Sequence, residues 1–131
     1  MEAWTAAMRE AFRHVVHATG YSLAGFWHLV GREIAARIEI AVSAAAVAWL
    51  LILGTSPGEI LIFLLLFCIL MSVEALNTCI ELIADHVSPQ HSAFARAAKD
   101  LGSLAVFLML IAGGLYVVAV TANKVGLIAL W

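Results

Sequence analysis

Apolar and polar positions fall in blocks along this chain, and the blocks predict helices. Trp4, Met8, Ala11, Phe12, Val15 and Val16 recur at helical spacing, with Arg9, Glu10, Arg13, His14 and His17 on the other side. That pattern predicts an amphipathic helix lying in a membrane interface. Gly20-Tyr21-Ser22 punctuates the chain. Residues Leu23 to Val30 predict a second short interfacial helix, with Tyr21 and Trp27 at headgroup level. The surface helices together cover about residues 4–31.

Three apolar stretches follow, at about residues 34–54, 59–85 and 101–122. Each reaches the roughly 20 residues that a membrane-crossing helix needs. Thr55-Ser56-Pro57-Gly58 predicts a tight connection between the first two, and Pro89 places the end of the second before it. Arg9, Arg13, Arg32 and Arg37 precede the first span, Arg96 and Lys99 lie between the second and third, and the first connection has neither Lys nor Arg. This bias predicts a cytoplasmic N-terminus and an external C-terminus.

The second span carries an anomaly. Ile60 to Val73 is a run of fourteen residues in which only Ser72 is polar. Glu74, Asn77, Thr78, Glu81 and Asp85 then follow at i, i+3, i+4, i+7 and i+11, on one face of one helix. Ionisable groups at membrane depth are costly and mark function. Entry near Ile60 puts Glu81 at the cytoplasmic boundary and Glu74 about 10 Å deeper. Three helices alone leave such a stripe facing lipid, so self-association is expected to bury it. Small residues at Ser43-Ala44-Ala45-Ala46 and Gly113-Gly114 suit close helix approach.

Composition agrees with a membrane protein. The 131 residues are 64% apolar and 12% charged, with a mean hydropathy of +1.03. A soluble domain has roughly 25% charged residues. The net charge of −2 and the lack of a basic stripe argue against nucleic-acid binding. The N-terminal residues show no basic segment followed by an apolar one, so no cleavable signal is expected. Cys68 and Cys79 lie on one predicted helix, about 16 Å apart, and are expected to be packing residues rather than a disulfide. No Gly-Lys-Ser/Thr follows the early glycines, which excludes a P-loop, and the five histidines lack zinc spacing.

The polar residues that remain suit phosphoryl transfer. Glu33 and Glu81 both belong near the cytoplasmic interface, where two carboxylates make a hard oxygen site for Mg²⁺ with substrate phosphates. Lys99 supplies a point charge for a phosphate. Glu74, withdrawn from water, has the profile of a general base for a lipid hydroxyl. A proton-coupled transporter is the alternative from another class; it needs neither the Lys99-Asp100 pair nor a second interfacial carboxylate.

Glu74-Ala-Leu-Asn77-Thr-Cys-Ile-Glu81, followed by Ala97-Ala98-Lys99-Asp100-Leu-Gly102-Ser103, resembles the signature of the bacterial integral-membrane diacylglycerol kinases, a family that includes undecaprenol kinases. The likeness extends back through Arg32-Glu33-Ile-Ala-Ala-Arg37 and Gly20-Tyr21-Ser22 and covers nearly the whole chain. It implies an all-α polytopic membrane protein acting as a homotrimer. Each subunit would form a single membrane-embedded kinase domain over residues 1–131, with sites between subunits in the inner membrane. ATP would be the phosphoryl donor and Mg²⁺ the cofactor, with diacylglycerol or a polyprenol as acceptor. Glu74 matches the catalytic base, and Glu33 and Glu81 match the metal ligands. Asn77, Lys99 and Asp100 match residues around the nucleotide phosphates. His14, Tyr21 and the loop Gln90-His91-Ser92 match positions near the nucleotide. Thr19, Gly20, Tyr21, Ser22, Leu23 and Glu39 match the lipid-facing wall. The chain departs from the better-known kinases at His14, His17, Leu23, Arg32 and Ile38, all on the lipid or nucleotide-rim side.

Overall fold

The computed structural model describes residues 1–88, 90 and 92–129, with the backbone alone at Glu2, Ala3 and Ala6. Four helices follow one another: α1 (Glu2–Arg32), α2 (Ile34–Ile52), α3 (Pro57–Val87) and α4 (Ala93–Lys124). Among the described residues there is no strand. The last three helices are long and apolar enough to cross a membrane. The chain is thus an all-α polytopic membrane protein. It divides into two compact units, Met1–Ile34 and Ala35–Trp131.

The first unit is α1. The expected break at Gly20-Tyr21-Ser22 is absent, and one helix runs through it. The reason is local. Thr19 and Ser22 turn their hydroxyls back onto the carbonyls of Val15 and Ala18, at 2.9 and 3.1 Å, so neither competes for the helical backbone. A lone glycine costs a helix only about 1 kcal/mol. The apolar face predicted for α1 is exposed, with Trp4, Met8, Phe12 and Val15 all more than half accessible.

In the second unit, α3 and α4 run antiparallel and pack closely. Buried positions recur every seven residues on both: Phe63, Leu70, Asn77 and Ala84 on α3, Ala95 and Gly102 on α4. A seven-residue repeat keeps one seam facing its partner helix. Alanine and glycine at one end of this seam let the backbones approach. α2 joins at the other end, where Leu50, Phe63 and Val120 form a core with Ala46, Val47, Tyr116 and Val117 around it. Trp49 Nε1 donates to Thr121 Oγ1 at 3.0 Å at the same level.

Capping sets the helix ends. α2 stops at Ile52 because Gly54 adopts φ +65°, a left-handed conformation suited to glycine. Thr55 then folds its N–H and hydroxyl onto the Leu50 carbonyl. α3 begins two residues before the expected 59, on a full capping box. Ser56 N donates to Glu59 Oε2 at 2.6 Å, Glu59 N donates to Ser56 Oγ at 3.3 Å, and Pro57 opens the first turn. α4 starts eight residues before the expected 101, because Ser92 caps it by accepting from Ala95 N at 3.2 Å. α3 ends at Val87; Pro89, the residue expected to enforce that end, lies outside the described residues.

Two packing expectations fail. Gly113 and Gly114 have nothing within 4 Å of a built Cβ. They instead line an apolar groove of about 350 Å³ with Val42, Phe63, Phe67 and Val117. The seven-residue register explains this, since it carries Gly102 rather than Gly113 or Gly114 into the seam. Cys68 and Cys79 are unpaired, as expected, but both are exposed rather than packed inside, because they lie off the Phe63–Asn77 face of α3.

The end of the bundle away from the acidic stripe is held by a polar clamp. Glu59 is buried, its Oε2 lies 3.1 Å from Lys124 Nζ, and Tyr116 Oη donates to the Glu59 carbonyl at 2.6 Å. Replacing Glu59 with alanine removes the ion pair and half the capping box. Breaking a fully buried pair costs roughly 3–5 kcal/mol. Lys124 keeps 28% of its side chain exposed, so we expect Glu59→Ala to lose about 2 kcal/mol, below that range. Denaturant unfolding in detergent micelles checks this, and an unchanged midpoint would refute the clamp.

Candidate functional site

The acidic stripe lies where the close-packed end of the α3–α4 seam opens toward the connection. Its buried part is Glu74, Asn77 and Thr78, with Glu74 only 3% accessible. Glu81 is half-buried and Asp85 exposed. The expectation that one chain leaves the whole stripe facing lipid is therefore corrected. The single chain already covers its deeper half, because the seven-residue register turns Asn77 into the α3–α4 contact.

Asn77 connects the two halves of the stripe. Its Nδ2 donates to Glu81 Oε1 at 3.1 Å, one helical turn on. Its Oδ1 is buried with no hydrogen-bond partner. Asp85, expected to reach into water, is accessible but paired: Lys99 Nζ crosses from α4 to its Oδ1 at 2.5 Å. Asp85, Ala95, Arg96, Lys99 and Asp100 line a small depression of about 160 Å³ at this end. Two of the three residues expected around phosphates, Lys99 and Asp100, thus share one recess with Arg96, while Asn77 lies in the seam. Arg96, expected only to orient the bundle, joins this recess, and its spacing of three and four from Lys99 and Asp100 places all three on one helix face.

Glu39 of α2 joins this end of the unit. Leu50 and Phe63 meet in the core. Glu39 and Glu74 each lie about 16 Å from that contact along antiparallel helices, so they sit at about the same level. Glu39 is buried, with Oε2 lacking a partner. A buried carboxylate without compensation is expensive and is retained for function more readily than for stability.

The remaining expected residues lie on α1 and in the connection. Thr19, Gly20, Tyr21, Ser22 and Leu23 are consecutive and exposed on α1. His14 and Tyr21 line one open groove on that helix with Glu10, Arg13 and His17. Glu33 caps the C-terminus of α1 in an extended conformation, φ −94° and ψ 118°, with its N–H on the Leu29 carbonyl at 2.8 Å. Gln90 is exposed in the turn after α3, and His91 lies outside the described residues. Ser92 has a structural duty: besides capping α4, its Oγ accepts from Ser88 Oγ at 2.8 Å.

The donor set suits a hard cation. Among the described residues no three His, Cys, Asp or Glu side chains gather as a self-sufficient metal cage. The half-buried Glu81 carboxylate is an oxygen donor, one of its oxygens held by Asn77 Nδ2, with no sulfur or imidazole in the hydrogen-bonded set. That fits Mg²⁺, which takes one or two carboxylates and completes its shell with phosphate and water.

The sequence model of the family described as prokaryotic diacylglycerol kinase matches residues 20–121, which include all the stripe and the α4 recess. A diacylglycerol kinase of a Sinorhizobium species is 41% identical over 104 residues, covering 79% of this chain and 75% of that protein. A diacylglycerol kinase of Pseudomonas aeruginosa is 34% identical over 98 residues, covering 75% and 80% respectively. One from Haemophilus influenzae is 29% identical over 97 residues, covering 74% and 82%. A match over this share of the chain, centred on helices that carry buried carboxylates, places it in a family: the chain belongs to the prokaryotic diacylglycerol kinases, which are membrane lipid kinases.

Proposed function

We propose that this protein transfers the terminal phosphoryl group of ATP to the hydroxyl of a membrane lipid alcohol, with diacylglycerol the leading acceptor and phosphatidic acid the product. The observation that carries the reading is one helix face. It runs from a buried carboxylate, Glu74, through Asn77 to a half-buried carboxylate, Glu81, and ends beside a Lys99–Asp85 pair. Such a face spans about 16 Å from Glu74 to Asp85, enough to serve an apolar acceptor at one end and a charged nucleotide at the other.

In this reading Glu74 takes the proton of the lipid hydroxyl as its oxygen attacks the γ-phosphorus, and ADP leaves. Phosphoryl transfer asks little covalent chemistry of the protein; positioning and charge neutralisation do most of the work. Mg²⁺, when bound, neutralises the phosphate oxygens. Glu81 and Glu33 are the residues assigned to hold it, and Asn77 orients Glu81. Lys99 and Asp100 face the phosphates and the groups around them, and His14, Tyr21, Gln90, His91 and Ser92 form the nucleotide rim. The run 19–23 and Glu39 form the wall for the lipid. The exposed apolar face of α1 lies in the bilayer interface. The N-terminus is cytoplasmic, the C-terminus external, and the active unit is a homotrimer.

A kinase assay in mixed micelles with labelled ATP and Mg²⁺ tests the reaction. Diacylglycerol, undecaprenol, ceramide and monoacylglycerol form the panel. We expect label in phosphatidic acid. Label in undecaprenyl phosphate alone would move the protein to the polyprenol branch, and no transfer to any acceptor would sink the kinase reading.

Glu74→Gln tests the base. A general base contributes about 10²–10⁴ in rate, so turnover should drop by that factor while ATP binding persists. A near wild-type rate would refute the assignment. For the metal, Glu33→Gln and Glu81→Gln should each raise the Mg²⁺ concentration for half-maximal activity by at least about tenfold, since even outer-shell partners contribute that much. Superimposable Mg²⁺ titrations would count against ligation.

A further inference from the structure

Gly102 is buried in the α3–α4 seam, directly against Asn77. A Cβ built on it collides with Asn77 Oδ1 and comes within 3.3 Å of Asn77 Cγ. Among the described residues, Gly102 is the only glycine whose missing side chain is replaced by a polar group of the facing helix; Gly113 and Gly114 on the same helix have no described atom within 4 Å of a built Cβ. The Asn77 carboxamide therefore occupies the volume that any other residue at 102 would fill. With Oδ1 in that niche, the planar amide aims Nδ2 away from α4, and it donates to Glu81 Oε1 at 3.1 Å. Oδ1 gains no hydrogen bond there. Leaving a buried acceptor unpaired is destabilising, so the niche is not explained by stability.

We propose that Gly102 is a positioning residue for the metal–nucleotide site: its missing side chain sets the Asn77 amide, and the amide in turn holds Glu81 in the orientation that presents its second oxygen to the cation. The role rests on the proposed function, since it presumes that Glu81 binds the metal. The chain of action is steric at its first link and electrostatic at its second. An alanine at 102 leaves two ways out. Either the amide rotates and releases Glu81, or the helices separate by a few tenths of an ångström or more. The first changes cation affinity alone, whereas the second also lowers stability.

The test is a double-mutant cycle on Gly102→Ala and Asn77→Ala, read by binding of Mn²⁺ with a non-hydrolysable ATP analogue. Electron paramagnetic resonance on the detergent-solubilised protein reports free and bound Mn²⁺. The KM for diacylglycerol and the thermal midpoint are measured alongside. Outer-shell partners contribute about 10–100-fold to metal affinity. We expect Gly102→Ala to weaken Mn²⁺–nucleotide binding by about that factor, with the KM for lipid unchanged. In the Asn77→Ala background the niche is already empty, so the same substitution should cost nothing further. Wild-type Mn²⁺ affinity in Gly102→Ala would overturn the proposal, as would a double variant that loses the product of the two single effects. If Gly102→Ala alone does not fold, the double variant decides. A folded double variant that binds as Asn77→Ala does supports the steric link, and one that also fails to fold overturns it. Glu81→Gln separates the two levels. Unchanged Mn²⁺ binding there removes the metal reading and the positioning role with it. Weakened binding there, beside wild-type behaviour of Gly102→Ala, removes the positioning role alone.

Discussion

Lipid offers no partner to a polar group, so every polar side chain carried below the membrane surface must be accommodated by protein. The α3–α4 seam meets that demand for Asn77. Its packing comes from small residues at one end, with Ala84, Ala95 and Gly102 allowing the two backbones to close on the stripe. Large side chains there would hold α4 away and leave Asn77 in the hydrocarbon. A single constraint, close approach of α3 and α4, thus underlies both the burial of the seam and the geometry of Asn77 and Glu81. The depth of Glu74 follows from its place on the same helix, one turn toward the membrane centre from Asn77.

The two ends of the unit use polar groups in different ways. At the clamp end, Glu59 is enclosed by its capping box, by Lys124 and by the Tyr116 hydroxyl on its carbonyl. Trp49 ties α2 in through Thr121. These interactions are mutual and leave little to rearrange. At the site end, Asn77 Oδ1 and Glu39 Oε2 are buried without partners. The Lys99–Asp85 pair is 32% and 59% exposed on its two sides. An exposed pair of this kind contributes about 0–1 kcal/mol, so parting Lys99 from Asp85, as the proposed phosphate contact requires, costs little. The fold is anchored where no chemistry is expected and remains open to a ligand where it is. Functional sites are the places where such unsatisfied groups are tolerated.

Much of this was legible in the residues. Three apolar stretches and the absence of helix breakers announced the spans, and the i, i+3, i+4, i+7 spacing placed Glu74, Asn77 and Glu81 on one face. Hydropathy and periodicity are strong signals because they are local. The misses were of two kinds. Helix ends moved because caps outrank hydropathy: Ser56-x-x-Glu59 started α3 early, Ser92 started α4 early, and Gly20 failed to break α1. Pairings across the chain were not readable from one helix at a time. Nothing local marks Lys99 as the partner of Asp85, or Lys124 as that of Glu59. The seven-residue recurrence of Ala95 and Gly102 was present in the sequence, yet only the register with Asn77 gives it meaning. Gly113-Gly114 looked like the closer contact and proved to line a groove.

The length of α3 gives the stripe its functional logic. Thirty-one residues extend about 46 Å, against a hydrocarbon layer of about 30 Å. With the Glu59 clamp near one surface, the helix passes the opposite hydrocarbon boundary around residues 77–80, between Glu74 and Glu81. A diacylglycerol keeps its chains in the bilayer and presents its hydroxyl just below the headgroups; a nucleotide stays in water. In the proposed reaction, a helix that places one carboxylate on each side of that boundary, about 10 Å apart along its axis, would let each substrate remain in its own phase. Neither would have to be transferred into the other's solvent before they meet, which avoids the cost of desolvating charged phosphates. Asn77 stands between the two carboxylates and donates to the outer one, Glu81, so the packing that orients it acts on the aqueous side of the pair.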